Sequence, residues 1–276
     1  MHNFKVDAEK CISCGLCVKD CLFQLLELQD GHPALLYPDK CIGCLHCFAI
    51  CPVGAITMDD HNASDAPLIT PLPSAASMEA LVRQRRSIRL YKQENCAQEL
   101  INKLLQLAWD APSGVNQHLL QITVIDDMAV MAELREKLYS GLESIALRDD
   151  LSAHTRRLLG ILGPDMTKWR QEDRILRHAP HFTLAAYSDT AITGLPDAFI
   201  YLSYFESLAV THGLGTLWCG YLDHCLRIMP ELTNWLGIGA NYKIAYPMLF
   251  GIPAEKYRRG INRAPVNINH VSTQLS

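Results

Sequence analysis

Eight of the eleven cysteines fall into two matching runs, and their spacing points to iron. Cys11-x2-Cys14-x2-Cys17-x3-Cys21 recurs 30 residues later as Cys41-x2-Cys44-x2-Cys47-x3-Cys51. A [4Fe–4S] cube needs four soft thiolates. Three closely spaced cysteines can wrap one face, and the fourth must come from elsewhere. In two-cluster chains the fourth cysteine of each run ligates the other cluster. One cluster therefore takes Cys11, Cys14, Cys17 and Cys51; the second takes Cys41, Cys44, Cys47 and Cys21. Gly15 and Gly43 let backbone amides turn toward the cluster sulfurs, and such hydrogen bonds help set the potential. Structural zinc favours paired ligands separated by a longer loop, a poor match to two complete runs. Cys51 is followed by Pro52, as the pattern wants, and Cys21 by Leu22. Cys96, Cys219 and Cys225 read as buried structural thiols, since free cysteine is among the most buried residue types.

A second set of chemistry-bearing residues is scattered over the rest of the chain. Residues 81–92 hold five bases, Arg83, Arg85, Arg86, Arg89 and Lys92, and no acid. A solvated basic face at a helix end accounts for them as well as a phosphate clamp does. Ala111-Pro112-Ser113-Gly114-Val115-Asn116 follows a helical pattern and offers turn amides, a hydroxyl and a carboxamide. Alone it is a turn. Gly213-Leu214-Gly215-Thr216-Leu217-Trp218-Cys219-Gly220 reads, on its glycines, as a helix stop.

Each cysteine run must sit on a loop, a half-turn of helix and a short strand, because apolar runs (Leu25-Leu26-Glu27-Leu28 and Ala55-Ile56-Thr57-Met58) follow both fourth cysteines. A repeat this small cannot bury a core of its own, and inorganic clusters would supply it. The stretch 59–77 is rich in Pro, Ser, Ala and Asp and reads as a linker. This divides the chain into a module over 1–60, a connector over 61–77 and a larger domain over 78–276. In that domain, residues 98–109 show helical spacing, with Leu100, Ile101, Leu104, Leu105 and Ala108 on one face. Residues 121–125, 182–187 and 242–250 read as strands. Residues 197–212 read as a largely buried helix, and 128–177 as helical and more polar. The interleaving implies an α/β or α+β layered structure.

The net charge of −4 argues against a nucleic-acid surface. Residues 1–60 hold the whole deficit, with four lysines against eight acids; the remainder balances 21 bases and 21 acids. The charged start, MHNFKVDAEK, does not look like a secretory signal. The longest apolar stretches are too short or too interrupted to span a membrane. Eleven cysteines without such a signal point to a reducing compartment, the cytoplasm.

Taken together, these segments resemble the nitroreductase-like FMN flavoprotein family, specifically members with an N-terminal ferredoxin-like domain holding two [4Fe–4S] clusters. The resemblance implies an α+β fold: a small ferredoxin-like domain, then a nitroreductase-like domain with a central mixed sheet flanked by helices. Arg85-Arg86-Ser87-Ile88-Arg89 is similar to the family's opening motif, which contacts the FMN phosphate, ribityl and pyrimidine edge. Pro112, Ser113, Gly114 and Asn116 are similar to its second motif, which reaches the flavin from the partner subunit. Leu217, Trp218, Cys219 and Gly220 sit where the family's backbone approaches flavin N5. Gly251-Ile252-Pro253, followed by Lys256-Tyr257-Arg258-Arg259, resembles its closing phosphate clamp. Phosphate neutralisation then falls to Arg85 and to Arg258 or Arg259, and Arg89 is the candidate for the charge near N1.

The implied activity is reduction of a small organic acceptor such as a nitroaromatic or quinone, by electrons from the clusters, a redox-protein donor or NAD(P)H stacking transiently on the flavin. No Gly-x-Gly-x-x-Gly fingerprint follows a strand. No side chain is named as catalytic; His118 and His212 are the nearest candidates for a proton donor. The resemblance also implies a homodimer with FMN at the interface. The alternative is a non-catalytic electron carrier or redox sensor serving a protein partner.

Overall fold

The computed structural model describes residues 2–162 and 165–271. The first domain is built twice over. In the first half the chain runs from β1 (Phe4–Val6) through the Cys11–Cys17 loop into α1 (Leu16–Asp20) and β2 (Leu26–Gln29). An Asp30-Gly31 turn with both φ angles positive (49° and 82°) closes the hairpin to β3 (His32–Leu35). The second half repeats the plan with α2 (His46–Ala49) and β4 (Ile56–Met58), and β4 returns to pair antiparallel with β1. The internal repeat extends to backbone conformation. Position 13 and its equivalent 43 are both left-handed (Ser13 φ 56°, Gly43 φ 60°), as are Gly15 (70°) and Leu45 (61°). At these two loop positions each half thus holds one glycine and one non-glycine residue, the latter in a conformation that costs ~1–2 kcal/mol. The core here is small: Cys17, Leu26, Cys47, Ile56 and Met58.

No regular element occurs between β4 and α3 (Ala75–Gln84). This helix starts inside the stretch read as connector, because Ser74 caps it, its hydroxyl accepting from Ser77 N at 3.1 Å. The larger domain continues with α4 (Gln98–Ala108), β5 (Leu120–Ile125), α5 (Met128–Ala146), α6 (Ala153–Leu162), α7 (Met166–Glu172), β6 (His181–Ser188), α8 (Gly194–Thr211), β7 (Gly215–Trp218), α9 (Gly220–Ile228), α10 (Pro230–Trp235) and β8 (Tyr242–Gly251). The sheet order is β5-β6-β8-β7, and all three pairings are antiparallel. The sheet is mixed only through one parallel bridge, Ser87 to Thr216, on the outer edge of β7. β7 itself corrects the reading of 213–220 as a mere helix stop. A four-residue strand is too short to show its alternation in sequence.

Both faces of the sheet are covered. α4 and α8 pack on one through Ile101, Leu104, Tyr201, Leu202 and Phe205. α5, α7, α9 and α10 pack on the other through Leu134, Leu138, Leu142, Trp169, Leu222 and Leu232. β6 is buried along nearly its whole length, as a central strand between two helical layers must be. Among the described residues no helix is long and apolar enough to cross a membrane.

Candidate functional site

Cys11, Cys14, Cys17 and Cys51 surround one small cavity, together with Ile12, Gly15, Leu28 and Ile56. Cys47 lies among Cys41, Cys44 and Cys17, and Cys17 among Cys14 and Cys51. Cys21 and Cys51 occupy equivalent positions: their sulfurs accept from Leu25 N and Ala55 N, both at 3.3 Å. Burial pushes the Cys47 thiol up to about 11 and raises that of Cys17. Metal ligation requires the thiolate, so loading this domain with iron must expel protons. The donor set is all-sulfur: four thiols around one apolar-walled cavity, and Cys41, Cys44 and Cys47 near one another, which Cys21 joins only by its equivalence to Cys51. It suits iron–sulfur cubes.

The second site gathers three segments far apart in sequence. Ile88 N donates to Thr216 O at 2.8 Å, which lays the Arg85–Arg89 segment along β7. Lys92 N donates to Ile252 O and Ala254 N to Leu90 O, joining the same segment to the chain leaving β8. Tyr257 Oη donates to Ser87 O at 3.3 Å. Gly215 permits the closeness, since a Cβ there would lie 2.3 Å from Ile88 Cγ1 and 2.9 Å from Pro253 Cγ. The result is a cavity of about 640 Å³ lined by Arg89 and by Leu217, Trp218, Cys219 and Gly220. A smaller one of about 270 Å³ shares Arg89 and is closed by Lys256 and Tyr257.

The arginines have different surroundings. Arg85 Nη1 donates to the buried carboxylate of Glu206 at 3.1 Å, and Thr216 Oγ1 donates to the same oxygen at 2.8 Å. Arg86 Nη1 donates to Arg85 O, while its buried Nη2 has no partner. A Cβ built at Gly260 would lie 4.0 Å from that Nη2, so the segment carrying the exposed Arg258 and Arg259 passes beside it. Arg89 is exposed at the cavity. Strand alternation sends Leu217 and Cys219 toward one core and Thr216 and Trp218 toward the other. The Trp218 ring stacks on Phe199 at 5.7 Å. Cys219, Cys96 and Cys225 are buried; desolvation pushes the Cys219 and Cys225 thiols up to about 12. Cys219 therefore offers backbone, not thiolate.

Pro112, Ser113, Gly114 and Asn116 do not line this cavity. Gly114 N donates to Asp197 Oδ1 at 3.0 Å, and Asn116 faces the first domain. His118 is also outside, its ring 5.4 Å from that of Trp109, and His212 is exposed at the end of α8 with Nδ1 2.9 Å from Leu208 O. The cavity contains instead residues that the sequence reading did not single out: His154, Arg174, Arg177 and His224. The His154 and His224 rings meet edge to face at 4.7 Å, and His224 Nε2 is buried without a partner. Desolvation and then His154 hold the His224 pKa below its usual value. The loop that presents Arg174 and Arg177 is tied down by Asp173, fully buried. Its Oδ1 accepts from Tyr139 Oη (3.0 Å) and Leu176 N (3.2 Å), and its Oδ2 from Arg135 Nε (2.6 Å) and His178 N (2.8 Å). An acid followed by successive bases was the available signal, with nothing local to mark it as buried.

Fold and site together define a two-domain redox protein: a thiolate-rich module ahead of an α+β domain whose sheet edge is lined by arginine. Residues 82–252 match the nitroreductase family, and residues 4–58 match the 4Fe-4S dicluster domain. The chain belongs to the nitroreductase family, a family of oxidoreductases. A ferredoxin of Pyrobaculum islandicum is 44% identical over 61 residues, 22% of this chain; the chain spans 57% of that relative's length. An NADH dehydrogenase of Thermus thermophilus is 24% identical over 180 residues, 63% of this chain and 88% of the relative. The crystal structure of a nitroreductase with bound FMN from Bacteroides fragilis shares the fold, with a TM-score of 0.54 at 19% identity over 72% of this chain and 98% of that one.

Proposed function

We propose that the chain is an FMN-dependent reductase of the cytoplasm that takes single electrons at two [4Fe–4S] clusters and delivers pairs to a small organic acceptor such as a nitroaromatic or quinone. The observation that carries this reading is the convergence of three separated segments on one arginine-lined cavity, in a chain that also holds eight grouped thiols. Flavin, when bound, exchanges one or two electrons and so links a one-electron source to a two-electron acceptor.

The residues fit FMN. The unpartnered Nη2 of Arg86, with Ser87 and the Arg258–Arg259 segment beside it, is what a phosphate oxygen would satisfy. Arg85 completes that end, its charge partly offset by Glu206. Arg89 supplies positive charge to the same cavity that Leu217, Trp218, Cys219 and Gly220 line. No acid–base side chain is required for these tasks. Leu195, Phe199, Ile200 and Tyr204 leave apolar surface exposed on α8, which supports a homodimer. In that dimer the segment of Pro112, Ser113, Gly114 and Asn116 would approach the partner's flavin. NAD(P)H, stacking transiently on the flavin, is the alternative electron donor to the same cavity.

The test is FMN, iron and acid-labile sulfide content of anaerobically prepared protein, with turnover of a nitro compound under a one-electron reductant. We expect Arg86→Ala to weaken FMN binding about tenfold to a hundredfold, the range of one lost charge-assisted hydrogen bond. Unchanged FMN retention would overturn the site. A single stoichiometric exchange in place of turnover would make the protein a carrier.

A further inference from the structure

We propose that the cluster site formed by Cys41, Cys44, Cys47 and Cys21 is the electron exit toward the reductase domain, and that Asn116 positions it. This rests on the reading that the eight thiols hold two clusters. Among the described residues, the hydrogen bonds joining the two domains come from one side chain. Asn116 Nδ2 donates to Gly43 O at 3.0 Å and Ile42 O at 3.4 Å. Both carbonyls belong to the loop between the ligands Cys41 and Cys44.

The donor is held in place from its own side. Val115, Asn116 and His118 all have positive φ (47°, 58° and 48°), a concentration of left-handed non-glycine residues that persists only where surroundings over-determine it. Asp197 accepts from Gly114 N and from Thr193 Oγ1, and Ser113 Oγ accepts from His118 N at 3.1 Å. His118 Nε2 lies 3.2 Å from Asn116 Oδ1 while its ring packs on Trp109. A proton on His118 Nε2 makes it the donor to Oδ1, which turns Nδ2 of Asn116 toward the cysteine loop.

The equivalent loop of the first half has no such neighbour. Ile12 is 60% exposed and Ser13 is exposed, where Ile42 and Gly43 are half-buried, and the Ser13 hydroxyl donates to Gly31 O within its own domain. Two loops related by an internal repeat are therefore used differently. One is open to a donor protein and one is bonded to the reductase domain. A one-electron redox protein reduces the Cys11/Cys14/Cys17/Cys51 cluster, and the electron passes to the second cluster. With clusters bound, the Asn116 turn would be the route by which single electrons leave the second site for the reductase domain. Two transfers, with two protons from water, convert an acceptor A to AH2.

Asn116→Gly is the direct test, because glycine keeps the left-handed backbone and removes only the carboxamide. The readout is an EPR-monitored redox titration of anaerobic holoprotein, with Ile12→Lys as a marker. A lysine on the exposed loop raises the potential of the first cluster and so identifies its signal. We expect Asn116→Gly to lower the potential of the other signal alone, since the Gly43 carbonyl loses a donor that polarises the Gly43–Cys44 amide. Electron arrival at the flavin, followed by its absorbance, should slow about tenfold, the factor represented by one lost hydrogen bond. A shift confined to the Ile12→Lys-marked signal, equal shifts in both signals, or no shift with unchanged arrival would overturn the assignment. Protein lacking iron and sulfide would instead sink the underlying cluster reading.

Discussion

Asp173 offers the sharpest quantitative test, because one buried carboxylate holds the loop that presents Arg174 and Arg177 to the cavity. Its two oxygens accept four hydrogen bonds, two each, from Arg135 Nε, Tyr139 Oη, Leu176 N and His178 N. Asp173→Ala leaves these donors without an acceptor in a fully buried position. Breaking a buried pair by removing one partner costs about 3–5 kcal/mol. Asp173→Asn is expected to cost nearly as much. Whichever way the amide faces, its NH2 meets two donors, so near-perfect shape cannot rescue it. For a domain of this size the loss corresponds to a fall in Tm on the order of 10 °C. Guanidinium denaturation at equilibrium measures it, as a lowered midpoint with an unchanged slope. Binding of anionic ligands in the cavity should weaken in parallel as Arg177 loses its fixed position. A loss below about 1 kcal/mol in Asp173→Ala, or an Asp173→Asn variant as stable as the parent, would refute the reasoning.

Three further perturbations follow from the same structure. His181 is fully buried, with Nε2 accepting from Cys96 N at 2.8 Å, and desolvation holds its pKa below the ordinary 6.5. The unfolded chain therefore binds a proton that the folded chain refuses, and stability should fall as pH drops below about 6.5, by up to ~1.4 kcal/mol per pH unit; His181→Gln should flatten that slope in pH-dependent denaturation. Gly215→Val would drive a side chain into Ile88 and Pro253, costing ~1–3 kcal/mol or more; FMN retention should fall with it, as fluorescence of released flavin would record. Iron removal should melt the first domain, whose core of five buried residues includes two thiols, while the larger domain keeps its own unfolding transition in circular dichroism.

The elements legible in the sequence were those with a strong local period. Helix α4 and strands β5, β6 and β8 lie within a few residues of their expected bounds, because α4 carries one apolar face at helical spacing and the strands are short apolar runs with polar flanks. The cysteine runs were legible because ligand spacing is local chemistry. Strand β7 was not, since Gly213 and Gly215 signal a stop and only pairing with β8 shows the strand. The start of α3 was hidden in a Pro- and Ser-rich stretch whose Ser74 turns out to be a cap. Buried acids were the largest omission. Asp173, Asp197 and Glu206 look like ordinary surface carboxylates until long-range partners such as Arg135, Gly114 and Arg85 are brought to them. Asn116, expected at a partner subunit's flavin, also bonds the Ile42–Gly43 loop of its own chain, a contact that depends on domain docking alone.

The placement of Cys51 beside the thiols of the first run also bears on the order in which the proposed cluster sites can close. Cys51 lines the same cavity as Cys11, Cys14 and Cys17, so the earliest-made thiols cannot be enclosed until the last of the eight leaves the ribosome. A nascent chain therefore carries a growing set of bare sulfurs, vulnerable to oxidants throughout synthesis of the module. The other set, Cys21, Cys41, Cys44 and Cys47, is complete once Cys47 is made, so the site begun first is the last that can close.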